Sequence, residues 1–410
     1  MRTLCNVLII NAIIFFSSSC SKESLAIKKN RADFTQTQEQ ILNSSNTFGL
    51  YLLHDLIDST QSSENIFISP LSISLALTMT YNGAAGQTAI DMQKTLGYEG
   101  MSKEDINKTC KELMNIILNL DPKVVMEIAN SIWYRNSFVV KQDFLNLNKN
   151  YFNAEVHPAD FNSSETVNLI NDWVNNQTHE KINKIIDKID PETGMYLIDA
   201  IYFKGTWKYK FETKNTKKEP FYLADSSTFD TDFMVQQDTF QYLSNDILTA
   251  VELPYGEEGF SMLILEPQTG KTYHDVIKNL NSANWDLWNN ALAATEVQIH
   301  FPKFRFSYEK KLNESLSRLG MGIALSDQAD FSGISDAARL CISSVLHKSF
   351  VEVNEEGTEA AAVTSVGISL ASIAPSYKIL YINKPFVFAI KENTTNSILF
   401  IGLVQKPVNE

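Results

Sequence analysis

The amino-acid sequence predicts a single α+β domain, helix-rich in its first half and strand-rich in its second. Three observations lead there. A strong helix-start signal opens a dense apolar run at Ser69, alternating apolar residues and short buried runs crowd the region after residue 296, and no break separates them. At 410 residues the chain exceeds the usual single-domain size. Even so, residues 37–410 contain no Pro/Gly-rich linker, low-complexity tract or repeat.

Taken in order, Ser69-Pro70 is an N-cap and first-turn pair. Leu71, Ile73, Leu75, Leu77 and Met79 follow at a density that predicts a helix buried on most sides. A second helix is predicted from about Glu309, with Leu312, Leu316 and Leu319 in phase and Gly320 as its stop. Val297, Ile299 and Phe301 alternate as in a strand, and Phe304 and Phe306 resume the alternation after Pro302. Phe386-Val387-Phe388 and Ile398-Leu399-Phe400-Ile401 read as strands covered on both faces. Strands gathered late behind early helices define the α+β class.

The N-terminus reads as a targeting signal. Arg2 precedes an apolar stretch from Leu4 to Phe16, the length of a signal core and too short to span a bilayer. Ser17-Ser18-Ser19-Cys20 then resembles the processing site of bacterial lipoproteins, with Cys20 as the lipidated first residue. The expected organisation is a signal over 1–19, a polar tether over 20–36 and one domain over 37–410. Export follows, with a lipid anchor in a bacterial outer membrane or cell surface, or secretion if Cys20 is not modified. Within the domain only Cys110 and Cys341 remain, expected as two buried free thiols. The Asn107 and Asn176 sequons are glycan acceptors only after secretion by a eukaryote.

Composition and motifs exclude several functions. Hydrophobic residues make up 44% and charged residues 20%, enough apolar material for a large core. A net charge of -13, with no Lys/Arg cluster recognised, argues against nucleic-acid binding. His179-Glu180 begins a zinc-protease motif, but Asn183 stands where its second histidine belongs. There is no nucleophile elbow and no phosphate-binding glycine loop. Neither an enzyme nor a cofactor is expected.

Several segments, in order, resemble the serpin (serine protease inhibitor) family: NIFISPLSISLALTMTYNGAAGQT at 65–88, ANSIWYRNSFVVKQDF at 129–144, INDWVNNQTHEKI at 170–182, DAIYFKGTWKYKF at 199–211, VELPY at 251–255 and FPKFRFSY at 301–308. ISSVLHKSFVEVNEEGTEAAAVTS at 342–365 follows, trailed by NKPFVFAI and ILFIGLVQKP. The resemblance implies a large central β-sheet, two smaller sheets, eight to nine helices and an exposed reactive loop over about 355–380. It also implies a suicide-substrate mechanism. A protease is acylated by the loop, and the freed segment inserts into the central sheet with the enzyme attached, a strand addition long known for serpins.

The loop has the composition that insertion demands. An inserted strand turns alternate side chains to the core. From Thr358 one face carries Thr358, Ala360, Ala362, Thr364, Val366 and Ile368, none of them charged. The other face carries Glu359, Ala361, Val363, Ser365 and Gly367, so the one charge falls where water can reach it. Glu355, Gly357, Thr358, Glu359 and Ala360-Ala361-Ala362 form the hinge by resemblance. The attacked bond falls between Ala371 and Ser372, with Leu370-Ala371 as the neighbouring alternative. No charged residue lies between Ala360 and Tyr377, which disfavours trypsin-like enzymes. Ala371 suits elastase-like and Leu370 chymotrypsin-like targets; papain-like cysteine proteases are a further class of partner. A non-inhibitory binding serpin is the rival function. The expected protein is a monomer that touches membranes only through Cys20.

The resemblance also assigns sheet-opening roles to Ser69, Ser72, Asp199 and His347 beneath the central sheet, and to Trp207, Lys303 and Glu355 at its top, the last two as an ion pair. Asp199 stands where Asn is usual; beside His347 it would favour a protonated imidazole and a pH-sensitive conversion. Glu180 stands where Gly is common.

Overall fold

The structure, a computed structural model, describes residues 33–59, 64–190, 193–336, 340–358 and 377–409. The first half holds helices α1 (Gln36–Ser59), α2 (Pro70–Tyr81), α3 (Gly86–Thr95), α4 (Lys103–Leu118), α5 (Gln142–Phe152) and α6 (Ser164–Gln177). Among them run strands β1 (Ile66–Ile68), β2 (Val124–Arg135) and β3 (Glu155–Ala159). The middle is β4 (Met195–Thr206), β5 (Lys217–Tyr222), β6 (Thr228–Ser244), β7 (Leu248–Pro254) and β8 (Phe260–Pro267), then α7 (Tyr273–Asn279) and α8 (Ser282–Asn290). The last part holds β9 (Ala293–Pro302), β10 (Phe304–Lys311), α9 (Asn313–Leu316), β11 (Leu346–Asn354), β12 (Gly357–Thr358), β13 (Lys378–Tyr381), β14 (Phe386–Glu392) and β15 (Ile398–Val404).

Six strands form the central sheet in the order β10-β11-β12-β4-β2-β3. The others run β1-β15-β14-β8-β7-β6-β9-β13, with β5 also paired to β6. The 17-residue β6 pairs with β5 near its start, with β9 in its middle and with β7 at its end. It thereby joins into one nine-stranded sheet the strands for which the resemblance implied two smaller sheets.

The predicted buried helix is α2. Ser69 caps it by accepting from the Ser72 N–H, Pro70 opens its first turn, and every residue except Ala76 is buried. Its surroundings explain why. It lies beneath β4, against β15 and under α1, so no side faces water. Phe67 on β1 stacks on Phe388 and Phe400 and meets Phe306 edge-on, tying the central sheet to β14 and β15 in one core. The opposite face of the central sheet carries a second cluster. There Ile170, Trp173 and Val174 of α6, with Ile182, Ile185 and Ile186, cover Trp133, Tyr196, Ile198 and Ala200. The central sheet is therefore a layer between two apolar contacts.

Two sequence expectations change here. The helix predicted from Glu309 is strand to Lys311; α9 begins only at Asn313, and a wide turn through Ser317–Met321 ends with Gly320 at φ 114°. The Leu312/Leu316/Leu319 spacing mimics a longer helix because Leu312 and Leu316 drop into the core from a short one. The alternation of Val297–Phe301 and of Phe304–Phe306 belongs to different sheets. β9 pairs with β6 and β10 with β11, so Pro302-Lys303 is a corner between layers.

Candidate functional site

β11 ends at Asn354, and Glu355-Glu356 turn the chain back on itself. Gly357 and Thr358 then run antiparallel to both neighbours: Thr358 faces Val353 and Gly205, and Gly357 faces Asn354 and Thr206. This two-residue strand fills the top of a slot. Below it, among the described residues, β11 and β4 are flanking strands with no pairing to each other.

The turn works only with glycine. Gly357 has φ 151°, and a Cβ on it would lie 2.0 Å from the Gly205 carbonyl oxygen. Gly205 is constrained from its other side, since its own Cβ would meet the Tyr255 ring at 2.6 Å. Tyr255 stacks on Trp207, with ring centres 4.5 Å apart, and its hydroxyl lies 2.6 Å from Thr358 Oγ1. Burial pushes that phenol far above its ordinary range, so it stays a neutral hydroxyl. Trp207 donates its indole N–H to the Asn354 carbonyl and its backbone N–H to that of Glu356. Phe211 donates its backbone N–H to the Glu355 carbonyl.

Lys303 and Glu355 form an ion pair at 2.9 Å, and the Thr216 hydroxyl donates to the same carboxylate at 2.7 Å. Burial opposes ionisation of Glu355. The bonds from Lys303 and Thr216 outweigh it and hold the carboxyl below the usual glutamate range. Lys210 pairs with Glu356. The strand entrance is thus pinned on both sides of the turn.

Deeper in the slot, His347 and Ser349 of β11 face the start of α2. The Ser69 backbone N–H points to His347 Nε2 at 3.4 Å, and the Ser69 hydroxyl donates to the Leu399 carbonyl at 2.7 Å. Ser72 donates its N–H to Ser69 Oγ, and Ser349 donates its hydroxyl to the Phe67 carbonyl. Burial drives His347 down to about 4, with the Phe67 carbonyl opposing. A ring lowered this far is neutral at pH 7. Asp199 lies on β4, where its backbone pairs with Asn130 of β2.

A strand slot topped by a glycine-hinged turn is the geometry the resemblance implied, and the family comparison agrees. The model of the serpin (serine protease inhibitor) family matches residues 43–407. The chain is a serpin. Human neuroserpin is 35% identical over 369 residues, covering 87% of this chain and 89% of that protein. The thermophilic serpin Tengpin in its native state superposes with a TM-score of 0.83 at 36% identity, covering 92% of this chain and 96% of that one. Human thyroxine-binding globulin gives 0.84 at 28% identity, covering 91% and 100%. Serpins are in general protease inhibitors rather than enzymes.

In this serpin Glu355, Gly357, Thr358, Trp207 and Lys303 meet at the sheet top, and Ser69, Ser72 and His347 meet beneath it. Glu359, Ala360, Ala361, Ala362, the Ala371-Ser372 bond with Leu370, and Cys20 lie outside the described residues. Sequence reasoning missed Tyr255, Gly205, Thr216 and Ser349. The pairing of Gly205 with Thr358 across more than 150 residues leaves no local signal, although VELPY contains Tyr255. Three further readings are corrected. Cys110 is buried but Cys341 is exposed. Asn107 is buried, trading amide bonds with Asn82, so the folded protein offers no glycan site there. The stretch 204–218 does gather lysines, yet Lys208, Lys210, Lys214 and Lys217 pair with Glu258, Glu356, Glu212 and Glu219. Glu180, where Gly is common, has φ 64° beside His179 at φ 49°, so this position keeps a glycine conformation without glycine.

Proposed function

We propose that this serpin inhibits serine proteases as a suicide substrate. The attacking serine of the enzyme forms an ester with the carbonyl of Ala371, the amine of Ser372 leaves, and the segment from Thr358 enters the slot before water cleaves the ester. The observation that carries this reading is β12, two residues of the loop already standing in the inserted register. Continued down both neighbours, that register sets Ala360 between Val351 and Phe203, Ala362 between Ser349 and Ile201, and Thr364 between His347 and Asp199. Small uncharged residues meet the core at each step. At ~3.3 Å per residue, Ala371 ends about 43 Å from Thr358, which drags the bound enzyme the length of the sheet.

Elastase-like enzymes are the favoured targets because Ala371 suits a small pocket; chymotrypsin-like enzymes would use Leu370, and papain-like enzymes form a third class. We place the molecule outside the cytoplasm, monomeric and held by a lipid on Cys20. A carrier function is the second reading, favoured by the likeness to thyroxine-binding globulin. The uncharged hinge face opposes it, since a carrier has no need of a loop that can enter the sheet.

A panel of elastase, chymotrypsin, trypsin and papain tests the proposal by SDS-resistant complexes. Elastase complexes are expected; a complex with trypsin alone would remove the specificity assignment. If all four enzymes leave active after nicking the chain, inhibition itself is excluded. Thr358→Arg separates the rival readings. It forces a charge into a buried site against Tyr255, opposing insertion by several kcal/mol, so trapping should become plain cleavage while binding of a small ligand persists.

A further inference from the structure

A cleft lies between α6 and β3, the strand that ends the central sheet on the side away from the glycine-hinged turn. Its volume of about 730 Å³ is that of a small-molecule site. Trp133 and His157 meet there because they are opposite one another in the parallel β2–β3 register, and their rings stack with centres 4.2 Å apart. His157 is held in turn by the Glu155 carboxylate, 3.1 Å from its Nε2. Trp173 of α6 completes the aromatic lining. It is only 9% exposed, and its indole N–H has no acceptor among the described residues. A buried donor without a partner is costly, and a carbonyl group brought into the cleft would remove that cost.

The rim carries charge of one sign. Glu165, Leu169 and Asp172 stand four and three residues apart, so they share one stripe of α6. Asp160 joins them from the turn that precedes the helix. That turn is fixed by the Ser163 N–H and the Thr166 hydroxyl, which both donate to the Asp160 carbonyl, while the Asn162 N–H donates to its carboxylate at 3.0 Å. No Lys or Arg lines the cleft, and among the described residues none pairs with Asp160, Glu165 or Asp172. Glu165 and Asp172 are ~10 Å apart along the helix axis, with Leu169, 55% exposed, between them.

We propose that this cleft binds an organic cation that has an aliphatic stem and one carbonyl group. The ammonium groups meet the carboxylates of the rim, which lack a cation of their own. The stem covers Leu169 and the indoles, taking apolar surface out of water. An ammonium beside an indole gains further from the ring's negative face. The carbonyl accepts from Trp173. An acetylated polyamine carries all three features on one small molecule, whereas an anion of the same size is repelled by three carboxylates.

Monoacetylspermidine is the probe, titrated into the full chain and followed by calorimetry and tryptophan emission; no protease is needed. Saturable binding is expected, with none for N-acetylglutamate. Replacing both exposed carboxylates, Glu165→Gln with Asp172→Asn, should weaken binding about tenfold, and the wild-type affinity should fall as salt rises. Trp173→Phe keeps an aromatic ring and removes the donor. It should weaken monoacetylspermidine about two- to tenfold and leave spermidine, which has no carbonyl, unchanged. Melting curves show whether each variant is folded; if Trp173→Phe is not, the carboxylate variant decides alone. No saturable signal with the probe, or full affinity in the Glu165→Gln/Asp172→Asn protein, overturns the site. Equal losses for the two polyamines in Trp173→Phe overturn the carbonyl contact.

Discussion

Replacing Gly357 by alanine tests the hinge with the smallest possible change. The new methyl group would sit 2.0 Å from the Gly205 carbonyl oxygen and 2.8 Å from Thr206 Cα, both backbone atoms that cannot swing away. At φ 151° an L-residue is also strained by about 1–3 kcal/mol. The chain can escape only by withdrawing β12 from the slot. That breaks the Tyr255–Thr358 bond and leaves a buried hydroxyl unpaired, at about 1–3 kcal/mol. Destabilisation of about 1–3 kcal/mol follows by either route. With ~2.1 cal/mol/K of unfolding entropy per residue, a chain of this length has roughly 0.9 kcal/mol per kelvin, so the melting temperature should fall by about 1–4 °C. Calorimetry at one fixed scan rate reads this, and the fixed rate matters because unfolding of a protein this large is governed by rates. The same variant should raise the stoichiometry of inhibition, since insertion must start from outside the sheet. A Gly357→Ala protein that melts within 1 °C of wild type and traps protease equally well would show that the close approach at Gly205 is not a constraint.

Two further predictions concern titrating groups. Lys303→Met leaves the Glu355 carboxylate buried with Thr216 as its remaining side-chain donor, so stability at pH 7 should fall by about 1–2 kcal/mol. Because the folded Glu355 is depressed, its contribution is complete above the unfolded glutamate value and disappears as pH falls through the folded one. Urea midpoints of wild type and Lys303→Met should therefore converge as pH falls below the unfolded glutamate value. His347 has the reverse charge type. It is neutral when folded down to about 4, whereas an unfolded histidine takes a proton near 6.5. The unfolded chain binds more protons between these values, so stability should drop by about 3 kcal/mol as pH falls from 6.5 to 4. His347→Asn should flatten that part of the urea-midpoint profile; an identical slope would exclude a buried neutral imidazole.

Much of this protein can be read from local order in the chain. The α2 helix is written in Ser69-Pro70 and the apolar residues after it, because a helix needs only neighbours within one turn to declare itself. The strands β14 and β15 show as short apolar runs for the same reason, and the order of the family-like segments pointed to the family. The alternation after Thr358 indicated which loop residues could face a core, and these lie outside the described residues. Position 309 failed because hydrophobic spacing at Leu312 and Leu316 is blind to whether the residues before it pair with a distant strand.

What the chain alone indicated is the buried helix after Ser69-Pro70, the alternating and apolar strand runs at 297–306, 386–388 and 398–401, and a loop face without charge, since each follows from periods of two to four residues. Only the folded structure decided that Gly205 leaves no room beside Gly357, that Tyr255 holds Thr358, and that burial lowers His347. Each of these depends on residues tens to hundreds of positions apart brought within a few ångströms, and on the burial this creates. Close packing and desolvation are properties of the neighbourhood, and the neighbourhood exists only after folding.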